Sequence, residues 1–102
     1  MEPMQLQRLL RNSANEIKRL SGVAQDLDDV LGSIPHEAVA SQMGALQNVD
    51  MLRQSLEALG AFVGSLADEV DDEAQIDPGI AAAQIKLRDL RAACLADPGN
   101  GP

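Results

Sequence analysis

The stretch that decides the fold is residues 6–34, LQRLLRNSANEIKRLSGVAQDLDDVLGSI. Its apolar or small side chains recur at alternating steps of four and three residues, the heptad spacing of a helix that packs along one side. These side chains are Leu6, Leu10, Ser13, Ile17, Leu20, Ala24, Leu27, Leu31 and Ile34. Pro3 suits the first turn of a helix, where a missing N–H costs nothing, and Gly32 suits its end. The stretch therefore predicts one long helix over about residues 3–31.

A second helix is predicted over about residues 35–70, after a tight connection at residues 32–35. The same spacing continues through Val49, Leu52, Leu56, Leu59, Val63, Leu66 and Val70. Residues 37–44 are less regular, so a kink or a short separate helix there stays open. Gly60 and Gly64 lie four residues apart within the helix, where each costs up to about 1 kcal/mol relative to Ala. Such glycines are tolerated where another backbone comes close, which predicts a tight helix–helix contact on this side.

A third helix is predicted over about residues 78–96, after an acidic loop at residues 68–77. Asp77 suits the N-cap and Pro78 the first helical position. The apolar spacing of this segment runs through Ile76, Ile80, Ala83, Leu87, Leu90 and Cys94. Cys94 is the only cysteine, and its place in this series predicts a small core residue rather than a reactive thiol.

These segments predict an all-α fold, in which a long antiparallel helical hairpin is joined by a shorter third helix. Residues 1–97 form a single helical domain in this interpretation, and residues 98–102 a disordered tail. The third helix can cover only about half of the hairpin. Apolar flanks therefore remain, at Leu9, Val23 and Val30 of the first helix and Met43, Leu46, Ala61 and Phe62 of the second. A second copy could cover them, so we expect a homodimer built around a four-helix bundle.

The charge distribution excludes several classes of function. The net charge is −8, whereas binding to nucleic acid or to anionic membranes needs clustered Lys and Arg. The N-terminus lacks the apolar segment of a secretory signal, and no uncharged stretch approaches the roughly 20 residues of a membrane-spanning helix. We therefore expect a cytoplasmic protein that binds neither nucleic acid nor membranes. Residues 21–77 hold twelve acids and Arg53 as the only Lys or Arg. Two interpretations stay open. The acids of this segment could pair with the basic ends of the chain, or they could simply lie on solvated helix faces.

His36 and the acidic loop are weak candidates for chemistry. His36 precedes Glu37, and an imidazole beside a carboxylate is one arrangement used in phosphotransfer. At a helix start it is equally a surface or capping residue, and the helix dipole would disfavour its protonated form. The loop at residues 68–73 lacks the ligand spacing of an EF-hand, so it is a solvated loop or a weak cation site.

A sharper candidate is the pair Asp50 and Gln54 in residues 50–54, DMLRQ. Four residues apart, and placed off the apolar spacing, the two side chains are predicted to share one exposed ridge. Residues 46–56 thereby resemble the D-x-x-x-Q motif of the chemotaxis response-regulator phosphatases of the CheZ type, which lies on a long helix of a dimeric four-helix bundle.

The resemblance implies a catalytic role for both side chains. Gln54 would orient a water for in-line attack on the aspartyl phosphate of a response-regulator protein, and Asp50 would contact a lysine of that partner. The chain itself would carry no cofactor and no metal, because the partner supplies the Mg²⁺. The alternative from another class is a homodimeric helical interaction or scaffold module without catalysis.

Overall fold

The described part of a computed structural model of the chain comprises residues 3–33 and 43–96, with only the backbone described for residues 43–46. Its elements, in chain order, are β1 (Met4–Gln5), α1 (Leu6–Gly32), α2 (Met43–Glu69), β2 (Gln75–Ile76), α3 (Gly79–Ala82) and α4 (Arg88–Cys94). The two helices α1 and α2 have 27 residues each and lie antiparallel, with Asp68 beside Arg11 and Gly60 beside Ile17. The molecule is elongated, at 55 × 27 × 26 Å. The predicted all-α fold with a long hairpin is confirmed.

The contact between α1 and α2 is made by small residues. Ala14, Ser21 and Ala24 are buried on α1, and Gly60 and Ala67 on α2. A Cβ atom added at Gly60 would lie 3.2 Å from Cγ of Lys18 and 3.6 Å from the backbone oxygen of Ala14. The close approach predicted from the glycine pair is therefore confirmed at Gly60, whereas an added Cβ at Gly64 would meet only the Cβ of Ala14 at 3.8 Å.

This contact rotates both helices away from the predicted apolar series. Leu27 of α1 is 47% exposed, and Leu52 and Leu59 of α2 are each 52% exposed, although all three belong to the predicted seams. The reason is steric. A backbone contact at Gly60 draws Ala14 and Ser21 into the interface, which turns the bulkier leucines toward the flank of the hairpin.

The prediction of one continuous third helix is wrong. The chain forms α3 over four residues and α4 over seven, separated by residues 83–87, and Leu87 is extended at φ −85°, ψ 115°. Ile80 is 86% exposed and Leu87 69% exposed, so most of the apolar series predicted for this segment is not buried, although Cys94 at its end is. Helices this short are not stable by themselves, and contacts with α1 therefore decide where they begin and end.

The segment that carries α3 and α4 covers one flank of the first half of α1. Pro78, Ala82 and Cys94 are buried there, which confirms the prediction of a core position for Cys94. Asn12 of α1 donates from Nδ2 to the carbonyl oxygens of Cys94 and Ala96, each at 2.9 Å. These two carbonyls at the end of α4 have no partner inside the helix, so Asn12 fastens α4 to α1.

Two short strands, which the sequence did not predict, precede α1 and α3 and pair with each other. β1 and β2 pair antiparallel, with Met4 opposite Ile76 and Gln5 opposite Gln75. A pair of two-residue strands is too short to show an alternating pattern. Asp77 accepts a hydrogen bond from the amide of Gly79 at 3.0 Å, close to its predicted capping role, although α3 begins one residue later than predicted.

Several predictions fall outside the described residues. They concern Ile34, His36, the possible kink up to residue 42, the tail at residues 98–102, and the side chains of Met43 and Leu46. None of the described helices is both long and apolar enough to cross a lipid bilayer.

The first testable prediction concerns the glycines. A Cβ added at Gly22 would meet nothing within 4 Å, and one added at Gly64 would meet only the Cβ of Ala14, at 3.8 Å. A Cβ added at Gly60 would meet Cγ of Lys18 at 3.2 Å. Replacement by Ala should therefore raise the free energy of unfolding by about 0.5–1 kcal/mol at Gly22 and Gly64, through helix propensity. Gly60→Ala should gain clearly less or lose stability. Urea unfolding of the three variants measures this, and an equal gain at all three positions would contradict a tight contact at Gly60.

The second prediction concerns Asn12. Asn12→Ala removes two hydrogen bonds and should lower the free energy of unfolding by about 1–2 kcal/mol. Because these bonds hold α4 on α1, the buried thiol of Cys94 should also react faster with a thiol reagent. Asn15→Ala, at an exposed asparagine on the same helix, is the matched control, which should raise the free energy of unfolding slightly through helix propensity and leave the reactivity of Cys94 unchanged. Equal reactivity of Cys94 in both variants would show that Asn12 does not fasten α4.

Candidate functional sites: a polar pair and an apolar face

The polar pair predicted on the second helix lies on α2 as expected. Nε2 of Gln54 donates a hydrogen bond to Oδ2 of Asp50 at 2.8 Å. Gln54 is exposed and the Asp50 side chain is 46% exposed, so both are accessible from solvent. One helical turn separates them, which is the spacing that brings an amide and a carboxylate together on a helix surface.

Arg53 joins this pair and changes its electrostatics. Its guanidinium donates from Nη2 to Oδ1 of Asp50 and from Nη1 to Oε1 of Glu57, each at 2.9 Å. The hydrogen bond to Asp50 and then that to Glu57 raise the pKa of Arg53 above its ordinary value, against a smaller opposing effect of desolvation. Nε of Arg53 is buried without a hydrogen-bond partner. The guanidinium therefore stays charged and is held against α2 between two acids.

This network limits what the pair can do. Both carboxylate oxygens of Asp50 already accept a hydrogen bond within the chain, one from Arg53 and one from Gln54. One N–H of the Gln54 amide is engaged with Asp50, and the amide oxygen is able to accept a hydrogen bond from a water. A lysine approaching Asp50 would have to come beside the Arg53 guanidinium. This role of Arg53 was not predicted from the sequence, although acids three residues before and four residues after it have the spacing of ion pairs on one helix.

The second candidate site is an exposed apolar face of the hairpin. We define the apolar face as Val23, Leu27 and Val30 of α1 with Leu52 and Leu59 of α2. Each of these side chains is between 47% and 61% exposed. Single exposed apolar residues are ordinary, but a contiguous exposed apolar group is a candidate interaction surface.

The two parts of the apolar face lie on the same side of the hairpin. Each residue advances by about 100° around the helix axis, so Leu27 points away from the buried Ala14 on α1, and Leu59 points away from the buried Gly60 on α2. The two rotations have the same sense when each helix is viewed from its own N-terminus. In an antiparallel pair of helices, rotations of the same sense bring side chains to the same side of the pair. The sequence predicted flank positions at Val23 and Val30, but Leu27, Leu52 and Leu59 were predicted inside the seam.

The apolar face begins where the cover provided by α4 ends. Leu9 lines a cavity under α3 and α4, and Asn12 bonds the end of α4. Leu27 and Val30 lie 18 residues, or five full turns, farther along α1 than Leu9 and Asn12, and therefore point in the same direction. They are exposed, which confirms the prediction that the third segment covers only half of the hairpin.

The cavity between α1 and the α3–α4 segment has a volume of about 190 Å³. Its lining is almost wholly apolar, and it includes the buried Cys94. Within residues 3–33 and 43–96, no group of three or more His, Cys, Asp or Glu side chains is placed to hold a metal ion.

Comparison with known proteins shows the family of the chain. Residues 2–99 match the family described as a domain of unknown function, DUF8776, and the chain belongs to it. No curated protein and no solved structure matches the chain.

Proposed function

We propose that this member of the DUF8776 family is a helical interaction module, which works by burying its apolar face against another protein surface. The observation that carries the proposal is the exposure of five large apolar side chains on the part of the hairpin that α4 does not cover. The polar pair supports catalysis less well, because Arg53 already occupies the carboxylate of Asp50.

The energy available from the apolar face fits reversible association. Complete burial of a Val or Leu side chain is worth about 1.5–3 kcal/mol, so side chains that are half exposed still offer roughly 1 kcal/mol each. Five such side chains, matched by a similar surface on a partner, offer roughly 10 kcal/mol. Association costs about 4–15 kcal/mol, so the net affinity is modest. Even at the lower cost the balance is only about 6 kcal/mol, which corresponds to a dissociation constant of roughly 40 μM, so we expect a weak, reversible complex rather than a permanent one.

The third prediction tests the apolar face in cells that make the protein. A photoreactive p-benzoylphenylalanine in place of Leu52 should give a discrete cross-linked protein adduct on irradiation. The same amino acid in place of Ala61 is the matched control, because Ala61 is exposed on α2 but lies on the opposite side of the hairpin. Denaturing gels and mass spectrometry identify the adduct. No adduct at position 52 above that at position 61 would overturn the proposed function, whereas an adduct with any protein supports it.

A second candidate function is hydrolysis of a response regulator's aspartyl phosphate, as the CheZ resemblance implies. One observation favours it, namely the Asp50–Gln54 hydrogen bond of 2.8 Å on an exposed helix surface. In this function Gln54 would present its amide oxygen to the attacking water. Asp50 would receive a partner lysine at a carboxylate that Arg53 and Gln54 hold in a fixed orientation. The Mg²⁺ and the phosphoryl group would belong to the partner.

The fourth prediction separates the two functions. If the chain is a phosphatase, it should accelerate phosphate loss from at least one member of a panel of phosphorylated response regulators. Gln54→Ala should abolish this acceleration while leaving the fold and regulator binding intact. Gln47→Ala, another exposed glutamine of α2, is the control and should retain full activity. An unchanged rate with every regulator would remove the phosphatase function and leave the interaction module untouched.

A further inference from the structure

We propose that the cavity between α1 and the α3–α4 segment is a binding site for one small, uncharged, apolar molecule of about six to nine non-hydrogen atoms. An aromatic or alicyclic ring with a short substituent is the chemical class that fits. The cavity lies at the first half of α1, whereas the apolar face lies on the second half. The inference therefore goes beyond the proposed function and does not depend on it.

The volume of the cavity is the first argument for a ligand. Protein interiors contain few voids larger than a water molecule, whereas this cavity measures about 190 Å³. An engineered protein cavity of about 150 Å³, lined by Leu, Ile and Phe, stays dry and binds benzene or xenon. The cavity of this chain therefore has room for one six-membered ring and a small substituent.

The lining of the cavity favours an apolar ligand over a polar one. Among the described residues, those that line it include no charged side chain and only one hydroxyl, that of Ser13. Oγ of Ser13 already donates to the carbonyl oxygen of Leu9 at 2.8 Å. Cys94 adds a thiol, which is a weak donor and a weak acceptor. Because a buried water needs about two to four polar partners, this lining suits a hydrocarbon better than it suits water.

The small side chains of α3 explain why the chain does not fill the cavity itself. Ala82 is buried and lines the cavity, whereas Ile80, the one large side chain of α3, is 86% exposed. Pro78, directly before α3, is fully buried, and the amide of Gly79 donates to Asp77 at 3.0 Å. These contacts fix α3 in the rotation that keeps Ile80 outside and alanine inside.

The α4 side of the cavity is fixed as well. Asn12 bonds the carbonyl oxygens of Cys94 and Ala96, and it thereby holds the end of α4, where Cys94 and Leu95 line the cavity. Ala81 also lines the cavity and is exposed, so the cavity reaches the surface at this residue. A small ligand can therefore enter while both walls stay in place.

The expected affinity is modest. Burial of six or seven carbon atoms in a cavity that is open on one side corresponds to a dissociation constant of about 0.1–1 mM. A bound ligand would contact α1, α3 and α4 together. It would therefore stabilise the covering segment on α1 in proportion to its occupancy.

The fifth prediction uses benzene as the probe. In methyl NMR spectra of the chain, benzene should shift the resonances of Leu9, Leu10 and Ile85 with a dissociation constant of about 0.1–1 mM. The resonances of Leu27 and Leu59, on the apolar face, should not move. Pyridine is the matched probe, since it has the same ring with one nitrogen acceptor. It should bind at least about tenfold more weakly, because the apolar lining does not replace the hydrogen bonds of its nitrogen to water.

A second measurement follows the thiol of Cys94 in the wall of the cavity. Benzene at ten times its dissociation constant should slow the reaction of Cys94 with a thiol reagent about tenfold. Ala82→Leu should fill the cavity and abolish both the binding of benzene and this protection. Ala83→Leu, at an exposed alanine that does not line the cavity, is the matched control and should retain both. Circular dichroism verifies that each variant is folded, and the comparison of benzene with pyridine needs no variant.

Three results would overturn the proposed site. They are the absence of shifts at Leu9, Leu10 and Ile85 in water saturated with benzene, equal shifts on the apolar face, and unchanged binding by a folded Ala82→Leu variant. Equal affinity for pyridine would likewise overturn the apolar character of the ligand. The cross-linking experiment at position 52 tests the apolar face separately, so failure of this inference and failure of the proposed function give different results.

Discussion

The contact of Gly60 with the backbone of α1 at Ala14 is the constraint on which the rest of the structure depends. A Cβ atom at this position would come within 3.2 Å of Lys18, so the helices approach as closely as they do only because the side chain is missing. That approach selects Ala14, Ser21 and Ala67 as the buried residues, since larger side chains would hold the helices apart. Leu27, Leu52 and Leu59, which were predicted to fill the seam, are turned outward, and a hairpin with a small interior and an apolar flank results.

The apolar flank then divides into a covered and an uncovered half. The α3–α4 segment buries Cys94 and Ala82 against the first half of α1, and Asn12 closes this contact through two carbonyls at the end of α4. No described segment occupies the equivalent position five turns farther along, at Leu27 and Val30. In the proposed interaction module another molecule would cover this exposed apolar surface, so that proposal accounts for a feature of the structure that catalysis leaves unexplained.

The polar pair shows how one neighbouring residue changes the meaning of a motif. Asp50 and Gln54 occupy the predicted positions and hydrogen-bond each other. Arg53, however, supplies within the chain the cation that the resemblance would assign to a partner. The same three side chains are thus fully accounted for as a surface network that stabilises α2. Catalysis would require this network to accept a second cation beside the first.

The sequence by itself determined that the chain is helical, that two long helices form an antiparallel hairpin, and that they approach each other closely at Gly60. Heptad spacing, the short connection and the glycine pair can all be read from the chain itself, and they indicate these features without knowledge of the side-chain contacts. Only the tertiary structure decided which side of each helix is buried, because a stripe of leucines and a neighbouring stripe of Ala, Ser and Gly lie about 50–100° apart on the same helix. Packing against the other backbone chose between them.

Packing also divided the predicted third helix into α3 and α4, since a stretch with good helix propensity still breaks where burying Ala82 and Cys94 against α1 gains more than continued hydrogen bonding. For the same reason the sequence could place Asp50 and Gln54 on one exposed ridge, whereas the hydrogen bonds that occupy them became evident only from the side-chain positions.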